Sequence, residues 1–291
     1  MRNIFIEQLI IAAKKNKKII LVVNDLGYSV VEKFAKLYPK QFYNAGVAEQ
    51  NLMGIAAGLA LEGYKVFVYS IGNFPTFRCA EQIRNDIDYH NLPVTIVNVG
   101  SGLGYGMLGY SHHSIQDFSL MRSFPNMTIV SPIDILETKI CMNYILKTKK
   151  PFYLRLSKTK SLNNRIEKNK IFAGRWNIIN KKSNNKTFLI TGNILNHAVK
   201  LLSTKKYKNH SLYSLPIWGM KFKDKQKNQI KRWKEIIVLE DHLEDGGFGS
   251  WIKESINNTN INTKIISKYL NKNVVGKVGS ESYLLKKFFG K

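Results

Sequence analysis

Short, uninterrupted apolar runs alternate along the chain with longer stretches in which apolar residues recur every three to four positions. The runs KIILVVND (18–25), KVFVYS (65–70), PVTIVNVG (93–100), MTIV (127–130) and FYLRL (152–156) predict strands buried on both faces. Between them, residues 30–38, 47–62, 76–89 and 133–148 predict helices, and residues 1–16 predict an amphipathic helix with Ile6, Leu9, Ile10 and Ala13 on one face. The stretch 133–148 starts well: Ser131 is placed to cap it, Pro132 suits a first turn, and Asp134 meets the positive end of the helix dipole. Leu136, Ile140 and Tyr144 then predict its inward face. Strands separated by helices of this length imply a mostly parallel sheet covered on both sides.

From about residue 157 the periodicity dissolves into Lys/Asn-rich sequence. A second, smaller alternation follows, with strands expected at TFLITG (187–192), HSLYSL (210–215), EIIVLE (235–240) and NTKIIS (262–267). Helices are expected to start near Leu195, Asp224 and Phe248. The expected fold class is therefore α/β, with two doubly wound domains: residues 1–160, a linker over 161–186, and residues 187–291.

Composition changes this picture little. A chain of 291 residues, 44% hydrophobic, has enough material for two cores. No stretch reaches the ~18 consecutive apolar residues of a membrane span. The lysines follow the first helical stretch rather than precede it, which is not the layout of a secretory signal. The net charge of +25 raises a nucleic-acid reading, but the lysines are scattered and not interleaved with aromatics as in a strand-binding groove. Neither nucleic acid nor membrane is the expected partner. Cys79 and Cys141 are isolated thiols, pointing to a reducing compartment such as the cytoplasm.

The informative chemistry lies between residues 42 and 132. FYNAGVAEQNLMGIAAGLALEG places one acid, Glu49, at the start of a helix made otherwise of small, amide and apolar residues. Gly54 and Gly58 leave a face that another backbone can approach closely. A carboxylate there is poorly solvated and ready to share a proton; equally, an acid in a first helical turn is favoured by the dipole alone. The glycine-rich GSGLGYGMLGYSHH lacks the Gly-Lys-Ser/Thr ending of a phosphate loop. His112 and His113 have no Cys, Asp or Glu at ligand spacing except Asp117, so a metal site is not expected there.

AGVAEQNLMGIAAGLALEG, YSIGNFPTFRCAEQIRNDIDYHNLPV and GYSHHSIQDFSLMRSFPNMTIVSPID resemble, in order and spacing, the pyrimidine-binding domain of transketolases. They are also similar to the 1-deoxy-D-xylulose-5-phosphate synthase branch. VLEDHLEDGGFGS (238–250) resembles the family's C-terminal domain. The resemblance implies a thiamine-diphosphate enzyme that transfers a two-carbon ketol unit between sugar-like substrates. It implies that Glu49 is catalytic, hydrogen-bonding the cofactor's pyrimidine ring and favouring its imino form. Phe74 then matches the aromatic that stacks on that ring, and Arg78 an arginine that reaches cofactor or substrate. Without the family, Phe74 is a core residue and Arg78 a surface bridge to Glu81 or Glu49. His112 matches the substrate-channel histidine, catalytic and substrate-binding, with His113 beside it. Lys158 falls at the family's basic residue for the substrate phosphate, and Asp25 (with Ser29) in a loop near the cofactor. Four residues before His112 the family commonly has a sugar-binding aspartate; this chain has Leu108, which puts pentose phosphates in doubt.

The family also needs a Gly-Asp-Gly domain that holds the diphosphate and magnesium, and nothing in this sequence matches it. The resemblance therefore implies a partner subunit that supplies the magnesium ligands, in an α2β2 heterotetramer. Two alternatives stay open: the beta chain of a 2-oxo acid dehydrogenase-type enzyme, and a non-catalytic binding subunit with the same fold.

Overall fold

A computed structural model describes residues 1–158 and 170–290. Residues 159–169, which include the first nine of the linker expected over 161–186, lie outside the described residues. The elements occur in two sheets. The first holds seven strands in the order β10-β5-β6-β4-β3-β1-β2: β1 (Ile19–Val23), β2 (Phe42–Asn44), β3 (Lys65–Ile71), β4 (Val94–Val99), β5 (Thr128–Val130), β6 (Phe152–Leu156) and β10 (Ile217–Trp218). The second holds five in the order β12-β11-β8-β9-β7: β7 (Asn177–Asn180), β8 (Lys186–Ile190), β9 (Ser211–Ser214), β11 (Glu235–Leu239) and β12 (Lys264–Lys268). The helices are α1 (Arg2–Lys15), α2 (Glu32–Leu37), α3 (Glu49–Leu61), α4 (Ala80–Gln82), α5 (Asp117–Met121), α6 (Ile135–Lys147), α7 (Leu195–Leu202), α8 (Asp224–Ile230), α9 (Phe248–Glu254) and α10 (Glu281–Phe288).

Both sheets are parallel except at an edge. In the first, β1, β4 and β6 are buried along their whole length, as parallel strands covered on both faces must be. The exception is β10, which runs antiparallel to β5 with Ile217 opposite Val130 and Trp218 opposite Ile129. This strand follows β9 of the second sheet, so one layer lends an edge strand to the other. Fully buried Trp218 fixes the crossing, with ring centroids 5.0 Å from Phe118, 5.1 Å from Phe248 and 5.1 Å from Trp251. The second sheet's exception is β7, antiparallel to β9.

Four sequence expectations are corrected. Residues 177–180, inside the stretch 161–186 read as a linker, form β7, because Asn177, Ile178 and Asn180 pair along the free edge of β9, with the register shifting at Ile179. The cap of α6 is Asp134, whose side chain accepts from the Glu137 amide at 2.8 Å; Ser131 instead sits where the sheets meet, its carbonyl accepting from Gly192. With that start, the buried face of α6 is Thr138, Cys141, Met142 and Ile145, while Leu136, Ile140 and Tyr144 lie half-buried on its flank. The stretch 76–89 is not one helix: a 3₁₀ turn (Phe77–Cys79) and the short α4 lead into a π-helical turn (Ile83–Asp88). The wider turn keeps both Ile83 and Ile87 in the core.

Candidate active site

The residues singled out in the first sheet come from turns at the carboxyl ends of its strands, where open parallel sheets bind their ligands. Asn24 and Asp25 follow β1, Glu49 follows β2, Phe74 and Arg78 follow β3, the loop to His112 follows β4, and Lys158 follows β6.

Glu49 opens α3 with no side-chain cap before it, since the N-cap residue is Ala48. It is only 7% exposed, yet it lines an open cavity of ≈ 600 Å³ with Val47, Ala48, Gln50, Asn51 and Arg78. Its Oε1 accepts from Asn24 Nδ2 at 3.1 Å and from Arg78 Nη1 at 3.0 Å. The Arg78 guanidinium lies 4.6 Å over the Phe74 ring and is itself 54% exposed, so it is free to move without disturbing packing. Phe74 meets the His112 imidazole edge-on at 5.2 Å, and Tyr105 lies 6.4 Å from the same imidazole. Lys158 is exposed and stands 4.5 Å over the Tyr105 ring. Glu49, Arg78, Phe74, His112, Tyr105 and Lys158 thus form one continuous line of contacts.

Asp25 and His113 stand apart from it. Asp25 has a left-handed φ of 56° and is held by Asn44, whose Nδ2 donates to Asp25 Oδ1 at 3.1 Å and whose Oδ1 accepts the Asp25 and Gly46 amides. It joins the turns after β1 and β2, while its neighbour Asn24 reaches Glu49. His113 is buried with its Nε2 3.4 Å from the Gly106 carbonyl, and its own carbonyl accepts from Asn73 Nδ2 at 2.7 Å. It pins the β4 loop to the β3 turn. Burial lowers the pKa of both imidazoles, for His113 against the opposing pull of the Gly106 carbonyl. Neutral His112 is therefore a proton acceptor at pH 7.

Asn24 and Tyr105 carry no mark in the sequence that sets them apart. Tyr105 is seated on Gly100, which has φ +86°; a Cβ there would lie 2.0 Å from the ring. The available signal was a tyrosine within a run of glycines, a run that draws notice for its glycines alone. Among the described residues, no three His, Cys, Asp or Glu side chains converge as a metal-ligand set, and no helix is long and apolar enough to cross a membrane.

The profile of the family "Transketolase, pyrimidine binding domain" matches residues 1–162. The chain belongs to the transketolase family. It is 33% identical, over 98% of its own length and 90% of the other's, to a chain of Methanocaldococcus jannaschii provisionally named a transketolase C-terminal section. It is 31% identical to one of the subunits of the apulose-4-phosphate transketolase of Phocaeicola vulgatus, covering 91% of this chain and 86% of that one. Among solved structures it is similar to a split-gene transketolase in an inactive beta4 tetramer, with TM-score 0.82, 26% identity, and coverage of 99% of this chain and 92% of that one. The α/β architecture of two mostly parallel sheets is that of these transketolase neighbours.

Proposed function

We propose that the chain is the pyrimidine-side subunit of a two-chain, thiamine-diphosphate-dependent transketolase-type enzyme that moves a two-carbon ketol unit between sugar-like substrates. One observation carries this reading: a nearly buried carboxylate, Glu49, faces an open cavity beside an aromatic ring, held by one fixed amide and one mobile guanidinium. The donor set fits an aminopyrimidine. Asn24 Oδ1, buried beside Glu49, has no hydrogen-bond partner among the described residues and is free to accept an N–H. Thiamine diphosphate, when bound, supplies the nucleophilic carbon and the electron sink.

The chain's own residues supply position and proton handling. Glu49 would hydrogen-bond the pyrimidine ring nitrogen through its second carboxylate oxygen, since Asn24 and Arg78 both donate to Oε1. Phe74 would offer its ring as the stacking surface. His112, kept neutral by burial, takes or returns the proton of a substrate hydroxyl. Lys158 meets the substrate phosphate as a point charge, with the Tyr105 ring as its rest. His113 and Asp25 hold the loops that carry these groups. Leu108, exposed four residues before His112, leaves no carboxylate for a donor hydroxyl and directs the site away from ordinary pentose phosphates.

Magnesium and the diphosphate belong to a partner subunit with the Gly-Asp-Gly domain, in an α2β2 assembly. A relative 31% identical is named as one subunit of a transketolase, which supports a partner, as does the split gene of the structural neighbour. The exposed Gly54 and Gly58 of α3 leave open space for a close backbone approach beside the cavity. Cys79 and Cys141 are free, buried thiols, Cys79 pushed up to about 12 by burial, which suits a reducing cytoplasm.

The test mixes the purified chain with the partner encoded beside it, then titrates thiamine diphosphate and magnesium against a panel of ketose-phosphate donors. Turnover by the pair and by neither chain alone is expected. Turnover by this chain alone contradicts the two-chain site. A heat-stabilised complex that turns over no ketose would make the chain a non-catalytic binding subunit. Release of CO₂ from pyruvate would place it with the 2-oxo acid dehydrogenases.

A further inference from the structure

The second sheet contributes none of the site residues above, yet it holds the loop that carries His112. Leu103 and Ile115, at the two ends of that loop, are buried in the core of the second layer with Ile190, Leu239 and Leu284. The main chain is tied as well: the Leu243 amide donates to the Ile115 carbonyl at 2.9 Å and the Gly279 amide to the Gly106 carbonyl at 3.2 Å. Gly106 has no room for a side chain, since a Cβ there would lie 2.5 Å from the Gly279 carbonyl oxygen.

A doubly wound sheet takes its ligand where the strand order reverses, outside the carboxyl ends of the strands. In the second sheet that point lies between β8 and β11, beside Gly192 and Asp241. Here the point is filled by a side chain of the first layer. Arg155, on β6, is fully buried. Its Nη1 donates to Asp241 Oδ1 at 2.6 Å, its Nε to Asp117 Oδ2 at 2.7 Å, and its Nη2 to the Ser114 carbonyl at 2.7 Å. The guanidinium rests 4.4 Å over Phe118. Ser114 lies two residues beyond His112, and its hydroxyl accepts from Asn98 Nδ2 at 2.8 Å. The seat is tight: a Cβ on Gly102 would lie 2.3 Å from Asp241 Oδ2, and one on Gly192 3.1 Å from Arg155 Nη1. The planar fork of arginine reaches all three acceptors at once, which a lysine ammonium on a flexible stem does not.

We propose that Arg155 and Asp241 are positioning residues: the second layer sets the place of His112 through the Asp241–Arg155–Ser114 link. The proposal rests on the reading of His112 as a substrate-side group. The second layer is then a template for the substrate half of the site, while Glu49, Phe74 and Arg78, carried on the β2 and β3 turns, hold the cofactor half without it.

The control is another link between the layers. Arg122, at the end of α5, makes a two-pronged pair with Glu254 of α9 at 3.1 and 2.7 Å, away from the His112 loop. Asp241→Asn, Arg155→Lys and Glu254→Gln are compared with the wild-type chain by amide hydrogen exchange over residues 101–116. Both clamp variants are expected to exchange there about 10-fold faster or more, with Glu254→Gln unchanged. In the reconstituted enzyme the clamp variants should lose about 100-fold in donor kcat/KM while half-saturation by thiamine diphosphate moves less than about 2-fold. Arg155→Lys keeps the buried charge and serves if Asp241→Asn does not fold. Unchanged exchange in a folded clamp variant, equal acceleration in Glu254→Gln, or a parallel loss of cofactor affinity overturns the proposal. If the wild-type pair turns over no ketose, the functional reading fails, and the exchange data still decide the clamp.

Discussion

Replacing Glu49 with glutamine removes a charge and keeps the shape. The glutamine carbonyl can still accept from Asn24 Nδ2, so the buried bond at 3.1 Å survives. What is lost is the pair with Arg78, whose side chain is 54% exposed; such half-solvated pairs contribute about 0–1 kcal/mol. Removing a carboxylate that is only 7% exposed also removes some desolvation cost, which acts the other way. The net change should stay within about 1 kcal/mol, or about 2–4 °C in Tm for a chain of this size. Turnover should respond quite differently. A carboxyl group that exchanges a proton in the reaction is worth about 10²–10⁴-fold, or about 3–5 kcal/mol of barrier. Glu49→Ala makes an internal check, because it strands the buried Asn24 amide and should be less stable than Glu49→Gln by about 1–3 kcal/mol. The assays are thermal melts of the chain followed by circular dichroism, and initial rates of the reconstituted pair at saturating thiamine diphosphate. A Glu49→Gln enzyme working within about threefold of wild type would refute the role given to this carboxylate. A fall of about 10 °C or more in its melting point would show instead that Glu49 is a structural acid.

Gly100→Ala should destabilise the chain by about 2–4 kcal/mol in urea titrations, because its φ is +86° and the new methyl would lie 2.0 Å from the Tyr105 ring. A loss under about 1 kcal/mol would mean that Tyr105 is not seated there. Leu108→Asp, at a position 56% exposed, should leave the melting point within about 1–2 °C and raise kcat/KM for hydroxyl-rich ketose phosphates about 10-fold or more. No gain on any donor would separate Leu108 from substrate choice. Fully buried His242, stacked 5.2 Å from Phe118, is pushed down to about 4 by burial from an ordinary 6.5. The unfolded chain then binds the extra proton first, so this contribution is complete above pH 6.5 and is lost as pH falls towards 4, in total about 3 kcal/mol. His242→Asn should start lower in stability and lose correspondingly less between those pH values, measured as the difference between the two proteins' unfolding free energies. Parallel pH curves would refute it.

The core strands were legible because β1, β4 and β6 are buried on both faces and their apolar runs are unbroken. The three strands that were missed have weak signatures for physical reasons. Strands β2 and β10 have three and two residues, and β7 shows one fully buried position in four, so no period can build up. The start of α6 was misplaced because Ser131 and Asp134 are both capping types, and only the crossing of the two sheets decides between them. In the candidate site, Glu49 was readable from its position in an otherwise uncharged helix. Its bond to Arg78 was one of two pairings the sequence allowed, the other being Glu81. Asn24, Tyr105 and Arg155 were hidden because their partners lie 25, 7 and 86 residues away and are brought close only by the fold.

The loan of β10 has a consequence for how the chain can be cut. A fragment ending before residue 217 would bare the N–H and C=O groups of Ile129 and Val130 and leave Phe118 without Trp218. Such an uncovered margin is a template for pairing with other molecules. The chain should therefore melt in a single cooperative transition, and its amino-terminal part expressed by itself should aggregate.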